Sequence, residues 1–395
     1  MIASNYDIVV IGAGPAGSMA ARFAAENGAS VLILERDREP GIPVRCAEGV
    51  SHNGISPFIK IDKRWIAATI EMAKLQSPDG NYAVMYNNGT GYVLERRIFD
   101  TALCELACSK GAQLLTKADA TGLLQDDKGI SGVRYRHLGN IKEVKCRIVI
   151  AADGVESRAG RWAGIKTAIK LEDIDTCAQY TITGIDVDNR CCDFYFGNEI
   201  SPGGYIWVFP KSSHSANVGI GIAGHLAEKK SPQEYLDAFL EQHYPRAKAT
   251  YTVFGCVPTA VTLKEITADN IMLVGDAARQ VNPITGGGIV QGMIAGSLAG
   301  KVAADSVRKK DYSAEFLRKY HREWNKRLGN IQKTMHAMKS RFFNMNDDRF
   351  NRIVAFCKNI PRDEFSLKIM FTEAVKGDPK LMLDVAKAFV VSKLK

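Results

Sequence analysis

Tyr6-Asp-Ile-Val-Val-Ile-Gly-Ala-Gly-Pro-Ala-Gly-Ser-Met-Ala-Ala-Arg-Phe-Ala-Ala-Glu-Asn-Gly-Ala-Ser-Val-Leu-Ile-Leu-Glu35 decides the fold. The apolar run Ile8 to Ile11 reads as a strand buried on both faces, as in a parallel sheet. Gly12, Gly14 and Gly17 then form G-x-G-x-x-G. Ser18 to Asn27 has helical spacing, Gly28 stops the helix, and Val31 to Leu34 is a second strand. In such a unit the first glycine permits a tight turn. The second lets the backbone approach a pyrophosphate, and the third lets the helix pack on the strand. The helix N-terminus offers unpaired N–H groups and the positive end of its dipole to phosphates. Glu35 ends the second strand, where a carboxylate can accept hydrogen bonds from a ribose. The glycine triplet alone is also compatible with an ordinary Gly-rich turn; strand, helix, strand and terminal acid in register make it a dinucleotide site. The unit by itself leaves NAD and FAD open. Its place near the start of the chain suits a permanently held FAD, and there is no second fingerprint of the NAD type.

The 395 residues suffice for two or three domains with a large core. With 46% hydrophobic and 24% charged residues the composition is ordinary globular. The net charge of +9 is spread out, which argues against a nucleic-acid partner and suits an anionic substrate or an anionic membrane surface. Nine cysteines are scattered without a C-x-x-C pair, so no metal site is expected and the thiols read as reduced. The first strand starts almost at once, leaving no room for a signal peptide, and a cytoplasmic location is expected. The longest apolar stretch, Gly286 to Ala304, is interrupted by Gln291 and Lys301 and reads as a buried helix rather than a membrane span.

After Glu35 the chain becomes an irregular loop with two prolines, running through Arg36, Arg45 and Cys46 to Gly49. Such a loop can fold back along a ligand. Arg45 could face a phosphate or another anion, and Cys46 could lie beside a flavin ring. The plain alternative is a surface arginine and a buried cysteine. Trp65 to Tyr92 alternates in polarity, and turns are expected at Pro78-Asp-Gly and at Asn87-Asn-Gly-Thr. Arg96 stands just ahead of a helix with Phe99, Leu103 and Leu106 on its apolar face. It could pair with a pyrophosphate or, more simply, with Asp100 at the surface. Ile148 to Ala151 is another buried strand, ending in Asp153-Gly154. From Thr176 to Thr259 the alternation points to a β-rich region. Within it, Pro202-Gly-Gly-Tyr-Ile-Trp-Val-Phe-Pro210 puts Tyr205, Trp207 and Phe209 on one face of one strand. That face could wall an apolar pocket or simply pack a sheet core. Asn270 to Gln291 is again strand, turn and helix. Asp276 ends the strand and could hold a ribityl hydroxyl, while the N–H groups of Gly286, Gly287 and Gly288 could face the flavin edge that becomes negative on reduction. From Ser313 on the chain is helical and basic; a solvated helix face is the default and membrane contact the rarer reading.

The N-terminal glycine motif with Glu35, Arg96 before Phe99-Asp100, and Gly275-Asp276 before a Gly-rich helix together resemble the FAD-binding scaffold of the p-hydroxybenzoate hydroxylase superfamily. Within it, P-x-x-Y-x-W-x-F-P at Pro202 to Pro210 is similar to the motif of the geranylgeranyl reductase family, and Cys46-Ala-Glu-Gly49 is similar to the flavin-side loop of its archaeal, ether-lipid-reducing members. The resemblance implies an α/β (α+β overall) chain. It would comprise a Rossmann-like FAD-binding domain (1–62, 93–165 and 258–312), a β-rich substrate domain with an antiparallel sheet (63–92 and 166–257) and a C-terminal helical region (313–395). It also implies tightly but non-covalently bound FAD. Gly12, Gly14, Ala16 and Gly17 would lie at the phosphates and Glu35 with Arg36 near the ribose. Cys46, Ala47 and Gly49 would lie by the isoalloxazine, Arg96 near the pyrophosphate and Ala120 near the adenine, with Arg45 a further cofactor contact. Asp276, Gly286, Gly287, Gly288 and Ile289 would complete the flavin site. Tyr205, Trp207, Phe209 and Pro283 would contact the substrate. Asp153-Gly-Val-Glu-Ser157 only partly matches the Asp-Gly motif of the hydroxylases, which leaves the electron donor open between NADPH and a ferredoxin-type protein. The aromatic motif also differs from the W-x-W-x-I-P of flavin halogenases.

The activity this implies is saturation of isolated C=C bonds in geranylgeranyl chains of an isoprenoid lipid or of geranylgeranyl diphosphate, with Cys46, Tyr205 and Trp207 as catalytic candidates. An FAD- and NADPH-dependent aromatic monooxygenase and a non-catalytic lipid-binding flavoprotein are the rival readings. Peripheral contact with the inner membrane surface is an accompanying expectation.

Overall fold

The structure is a computed structural model that describes residues 2–127, 129–361, 367–374 and 376. Counted over those residues the chain divides into two compact units: Met1–Val44, Arg96–Ala168 and Ala260–Gln332 form the first, and Arg45–Glu95, Ile169–Thr259 and Lys333–Lys395 the second.

The first unit is built on a six-stranded sheet in the order Thr267–Ala268, Ile271–Leu273, Ile148–Ala151, Ile8–Ile11, Val31–Leu34, Gln113–Leu115. All pairings are parallel except the one at the Thr267–Ala268 edge. Val10 sits between Ile33 and Ile150, and the three central strands are buried along their whole length. That is why they read as unbroken Val/Ile/Leu runs rather than as alternations. The crossover helix Pro15–Glu26 packs against the long helix Ile289–Lys309. The contact is close because Gly292, Gly296 and Gly300 face Ala16, Ala20 and Ala24: a Cβ on Gly296 would stand 2.1 Å from the Ala16 carbonyl oxygen. A second, three-stranded sheet joins Ala118–Asp126, Gly129–His137 and Asn140–Lys145. Helix Ala314–Trp324 buries Phe316, Leu317, Tyr320 and Trp324 in this unit. Of the basic residues of the same helix, Arg318 and Arg322 pair with Glu315, and Lys319 lays its ammonium over the Phe316 ring, 3.5 Å from the centroid.

The second unit carries an eight-stranded mixed sheet in the order Lys248–Val257, Asp175–Thr183, Ser215–Ala223, Tyr205–Ser212, Cys191–Tyr195, Ile66–Gln76, Tyr82–Leu94, Gly49–Ser51. One face, with Ile206, Val208, Ile220 and Ile222, is covered by Leu236 and Phe239 of helix Pro232–His243. The opposite face carries the aromatic residues of the Tyr205–Ser212 strand. Residues 45–62 belong to this unit because Gly49–Ser51 pairs with Tyr82–Leu94 at the sheet edge. At the expected turn, Asn87–Thr90, the strand Tyr82–Leu94 bulges: Tyr86 pairs with Met72 and Gly91 with Ile70, so the four residues between them stand out of the ladder opposite Glu71. The turn-like composition falls on the bulge rather than on the paired residues. Of the C-terminal region expected to be helical, Asn330–Phe343, Asp347–Lys358 and Leu367–Ala374 are helices, and residues 362–366, 375 and 377–395 lie outside the described residues. No described helix is long and apolar enough to cross a membrane.

Candidate functional site

In the first unit the three fingerprint glycines do three different jobs. Gly12 has φ +101, and a Cβ there would meet the Ala152 carbonyl oxygen at 2.4 Å. Gly17 faces the Gly12 carbonyl oxygen, with 2.0 Å to an added Cβ, so the helix can press onto the first strand. Gly14 is the reverse: it caps helix Pro15–Glu26 with an ordinary φ of −66, and nothing described lies within 4 Å of its Cβ position. No side chain caps that helix and no acid stands in its first turn, which leaves its N–H groups and dipole facing open space. The Ala16 side chain is packed against Gly275 and Gly292, so what this residue can offer a ligand is its backbone N–H.

Glu35 is buried, and its two carboxylate oxygens accept from Ala13 N at 2.8 Å and Asp37 N at 2.8 Å. Burial pushes its pKa up, and the two backbone donors oppose that. The acid therefore ties the glycine loop to the second strand and still has lone pairs for a hydroxyl. Ala120 is buried in a strand whose Ala118 N donates to the Glu35 carbonyl, which brings it beside the same strand end. Arg36 is exposed and reaches Glu156 at 3.2 Å.

Arg96 makes a two-pronged bond to Asp100, 2.7 Å on each prong, with Asp100 1% exposed. The pair is a buried fork, not the surface pair that sequence alone allows. The Arg36–Val44 segment lies on the start of this helix: a Cβ on Gly41 would stand 2.6 Å from the Arg96 carbonyl oxygen. Arg96 also acts on Asp276. Burial pushes the Asp276 pKa up to about 6, and the Arg96 charge holds it down. Asp276 Oδ1 stands 2.9 Å from the Cβ position of Gly288, so its carboxylate sits at the N-terminus of helix Ile289–Lys309.

The glycine triplet differs from expectation. Gly286 N donates to the Asn282 carbonyl and Gly287 N to Thr285 Oγ1, while Asn282 Oδ1 accepts from Ile284 N and Thr285 N. Those two glycine N–H groups close the turn rather than face a ligand. Gly288 caps the helix, and the N–H groups of Gly288 and Ile289 donate to no described residue. Pro283 lies buried in the same turn.

In the second unit three neighbouring strands present one surface. Cys177, Gly221 and Tyr205 lie in one row across the sheet, Gln179, Gly219 and Trp207 in the next, and Thr181, Asn217 and Phe209 in the third. The Trp207 indole lies on Gly219, where a Cβ would stand 2.3 Å from Cζ2. Its Nε1–H donates to Gln179 Oε1 at 3.0 Å, and Gln179 Nε2 donates to the Cys46 carbonyl at 3.0 Å. Phe194 packs edge-on against Phe209 at 5.4 Å and beside Tyr205 at 5.7 Å, and Tyr205 beside Trp207 at 5.9 Å. Burial raises the Tyr205 phenol well above its ordinary range, helped by the Cys177, Asp175 and Cys46 charges; these groups share one neighbourhood. Lys339 Nζ binds Asp175 at 3.0 Å and Thr259 Oγ1 at 2.5 Å beneath it.

The loop Cys46-Ala47-Glu48-Gly49 is fixed at several points. Glu48 has φ 75, an uncommon conformation for a residue with a side chain. Its N–H donates to Cys46 Sγ at 3.2 Å, and its carbonyl accepts from Leu94 N at 2.9 Å. Its carboxylate accepts from Lys211 Nζ at 2.8 Å and Asn217 Nδ2 at 2.6 Å. Gly49 faces the Phe209 ring, 2.8 Å from an added Cβ. Cys46 and Ala47 are half-buried; Arg45 is exposed beside Gly255.

Sequence reading passed over Gln179, Glu48, Lys211 and Asn217. A lone glutamine or lysine in a strand carries no spacing signal. Gly219-Ile-Gly221 did carry one, since alternate glycines in an apolar strand mark a close approach by another group.

Chemically, the first unit offers an uncapped helix end with an open glycine, a strand-end acid and a buried carboxylate near pKa 6 beside a second helix end. That set fits the pyrophosphate, ribose and ribityl parts of FAD. The second unit offers an aromatic face flanked by a thiol. Comparisons with known proteins agree. The geranylgeranyl reductase catalytic domain matches residues 173–257, and the FAD dependent oxidoreductase family matches residues 7–189. The digeranylgeranylglycerophospholipid reductase of Methanosarcina mazei is 44% identical over 98% of this chain and 96% of its own length. That of Methanocella arvoryzae is 39% identical over 97% and 98%. A geranylgeranyl bacteriochlorophyll reductase-like protein from Thermoplasma acidophilum superposes with a TM-score of 0.91 at 34% identity, covering 98% of this chain and 99% of that one. The flavin-dependent brominase Bmp2, at 19% identity and a TM-score of 0.72, shares the fold alone.

Proposed function

The chain belongs to the geranylgeranyl reductase family of FAD-dependent oxidoreductases, and on that premise we propose that it saturates the isolated C=C bonds of a glycerophospholipid carrying geranylgeranyl chains. The observation that carries this reading is the aromatic face of the Tyr205–Ser212 strand: Tyr205, Trp207 and Phe209 stand opposite the core-facing Ile206 and Val208, inside the segment that matches the catalytic domain.

FAD would be held by the N–H groups of Ala16 and Gly17, by Glu35, and by Asp276 with the N-terminal N–H groups of Gly288 and Ile289; when bound and reduced it supplies a hydride. An unactivated alkene has no carbonyl to take up charge, so the carbon that does not receive hydride gains cationic character. The faces of Tyr205 and Trp207 stabilise that charge, and the packed rings exclude the water that would trap it. The second hydrogen arrives as a proton. Cys46 is the donor in this reading, with the Glu48 N–H on its Sγ steadying the thiolate that remains until water reprotonates it. Arg45, exposed and cationic, suits the lipid phosphate. An external donor, NADPH or a ferredoxin-type protein, reduces the flavin, and the lipid substrate places the work at the membrane surface.

The test is an anaerobic one. FAD-loaded protein is reduced chemically and mixed with the geranylgeranyl glycerophospholipid. Substrate-dependent flavin reoxidation without oxygen supports the reading. Reoxidation and product only when oxygen is admitted would replace it with a monooxygenase, and no turnover of any isoprenoid would leave a lipid-binding flavoprotein.

A further inference from the structure

Gln179 is 4% exposed, on a strand paired along both edges, and both ends of its amide are spent on groups of the proposed reaction. Its Oε1 accepts from the Trp207 indole N–H at 3.0 Å, and its Nε2 donates to the Cys46 carbonyl at 3.0 Å. The partners fix the amide orientation, because an indole N–H only donates and a carbonyl only accepts. Gln179, Gly219 and Trp207 are register neighbours on three adjacent strands. The missing side chain at Gly219 is what lets the indole lie across the middle strand and reach Gln179. The Cys46 loop, in turn, approaches the same amide from outside the sheet.

We propose that Gln179 is a positioning residue for the reaction: it locks the Trp207 ring and the Cys46 loop to one point, so that the aromatic face and the proton-donating thiol are set for the same alkene. This rests on the reductase reading above. The Glu48 carboxylate, clamped by Lys211 and Asn217, anchors the loop at a second point. The stacking of Trp207 on Gly219 sets the height of the ring, and the directional bond to Gln179 sets its rotation within the plane.

The chemistry of the amide supplies a test that a merely structural glutamine would not pass. A protonated carboxyl has one acceptor and one O–H donor, and so can replace both ends of the amide; an ionised carboxylate can only accept and would repel the Cys46 carbonyl. Gln179→Glu is therefore a pH-operated version of the wild type, and burial should place the titration of the introduced carboxyl above the usual carboxylate range. The charged and titratable groups facing this region are Tyr205, Cys46, Cys177, the Asp175–Lys339 pair and the Glu48–Lys211 pair, and they are common to all variants compared. Gln179→Leu, which can make neither bond at any pH, is the second variant.

Wild type, Gln179→Glu and Gln179→Leu are loaded with FAD, reduced anaerobically and mixed with saturating geranylgeranyl lipid, and single-turnover rates are followed from about pH 5 to about pH 8, around the raised range of a buried carboxyl. The expected result is a loss of roughly tenfold to a hundredfold for Gln179→Leu at every pH, the scale of a small misplacement of reacting groups. Gln179→Glu should run near the wild-type rate at the acid end and fall to the leucine level with a one-proton slope, with KM little changed. The proposal is overturned if Gln179→Glu and Gln179→Leu both keep the wild-type rate, or if only their unfolding temperatures move while the rate per FAD-loaded molecule does not. An inactive wild type would instead strike the reductase reading itself.

Discussion

Replacing Gly219 with alanine should dislodge Trp207. The added Cβ would stand 2.3 Å from Trp207 Cζ2, 2.5 Å from Cε2 and 2.9 Å from the Ala178 carbonyl oxygen, where ordinary contact begins at 3.4 Å. Backbone on one side cannot yield, so the indole must lift by about 1 Å or rotate. Either motion takes its N–H, now 3.0 Å from Gln179 Oε1, beyond good hydrogen-bond geometry. The cost is about 1–3 kcal/mol for overpacking and about 1 kcal/mol for the lost bond. For a unit of this size that is a fall of roughly 5–10 °C in its unfolding midpoint. On the proposed mechanism the reductive rate of the FAD-loaded enzyme should drop about tenfold or more, because the ring face would leave the place assigned to it beside the developing alkene charge. The assay pairs calorimetry with single-turnover reduction, and includes Trp207→Phe alone and combined with Gly219→Ala. The smaller ring relieves the clash, so the double variant should be more stable than the sum of the two singles by about 1 kcal/mol. Additive stabilities, or a Gly219→Ala enzyme with unchanged midpoint and rate, would refute the placement of the indole on Gly219.

Gly14→Ala should leave the FAD-free protein as stable as wild type, since its φ of −66 suits alanine and its Cβ would meet nothing described within 4 Å; FAD affinity, read by flavin fluorescence, should fall roughly tenfold or more because the methyl enters the phosphate space. Asp276→Asn should act in opposite directions on fold and ligand. Its folded pKa of about 6 exceeds the unfolded value, so ionisation costs the fold nothing below about pH 4, increasingly from there to pH 6, and a constant amount of at most about 3 kcal/mol above. The asparagine variant without FAD should therefore gain stability at neutral pH and none at pH 4, while binding FAD more weakly; denaturant titrations at the two pH values check the sign. Lys339→Met should strand the Asp175 carboxylate with only Thr259 and the more distant His225 charge to offset it among the described groups, destabilising the second unit by about 3 kcal/mol at neutral pH and by less in acid, where Asp175, its pKa already raised by burial, takes a proton.

What the sequence made legible was what spacing encodes. The three glycines, Glu35 and Asp276 each stand at a strand end fixed by the period of the apolar runs, and the alternation of Tyr205, Trp207 and Phe209 placed them on one face. Turn chemistry was less legible. Gly286 and Gly287 look like open N–H donors until Asn282 and Thr285 are seen to close the turn around them, and Asn87–Thr90 marks a bulge inside a longer strand rather than the end of one. Arg96 and Asp100 were visible as a pair, but their burial depends on the loop laid over the helix start at Gly41. The basic helix after Ser313 resembled a surface element because its charged residues are as many as its apolar ones; Phe316, Leu317, Tyr320 and Trp324 at helical spacing are what bury it. Gln179 and Glu48 were invisible because their partners are far away in sequence, 133 residues in one case and 163 and 169 in the other.

The central claim is that this FAD-dependent reductase saturates isoprenoid double bonds. It is tested most directly by the mass of the lipid after incubation with FAD-loaded, chemically reduced protein under strict exclusion of oxygen. The account predicts that the geranylgeranyl glycerophospholipid gains two hydrogens for each double bond reduced, one of them exchanging with deuterated water and the other coming from the flavin. A lipid whose mass stays unchanged with every reductant, or rises only by oxygen atoms when air is admitted, would contradict it.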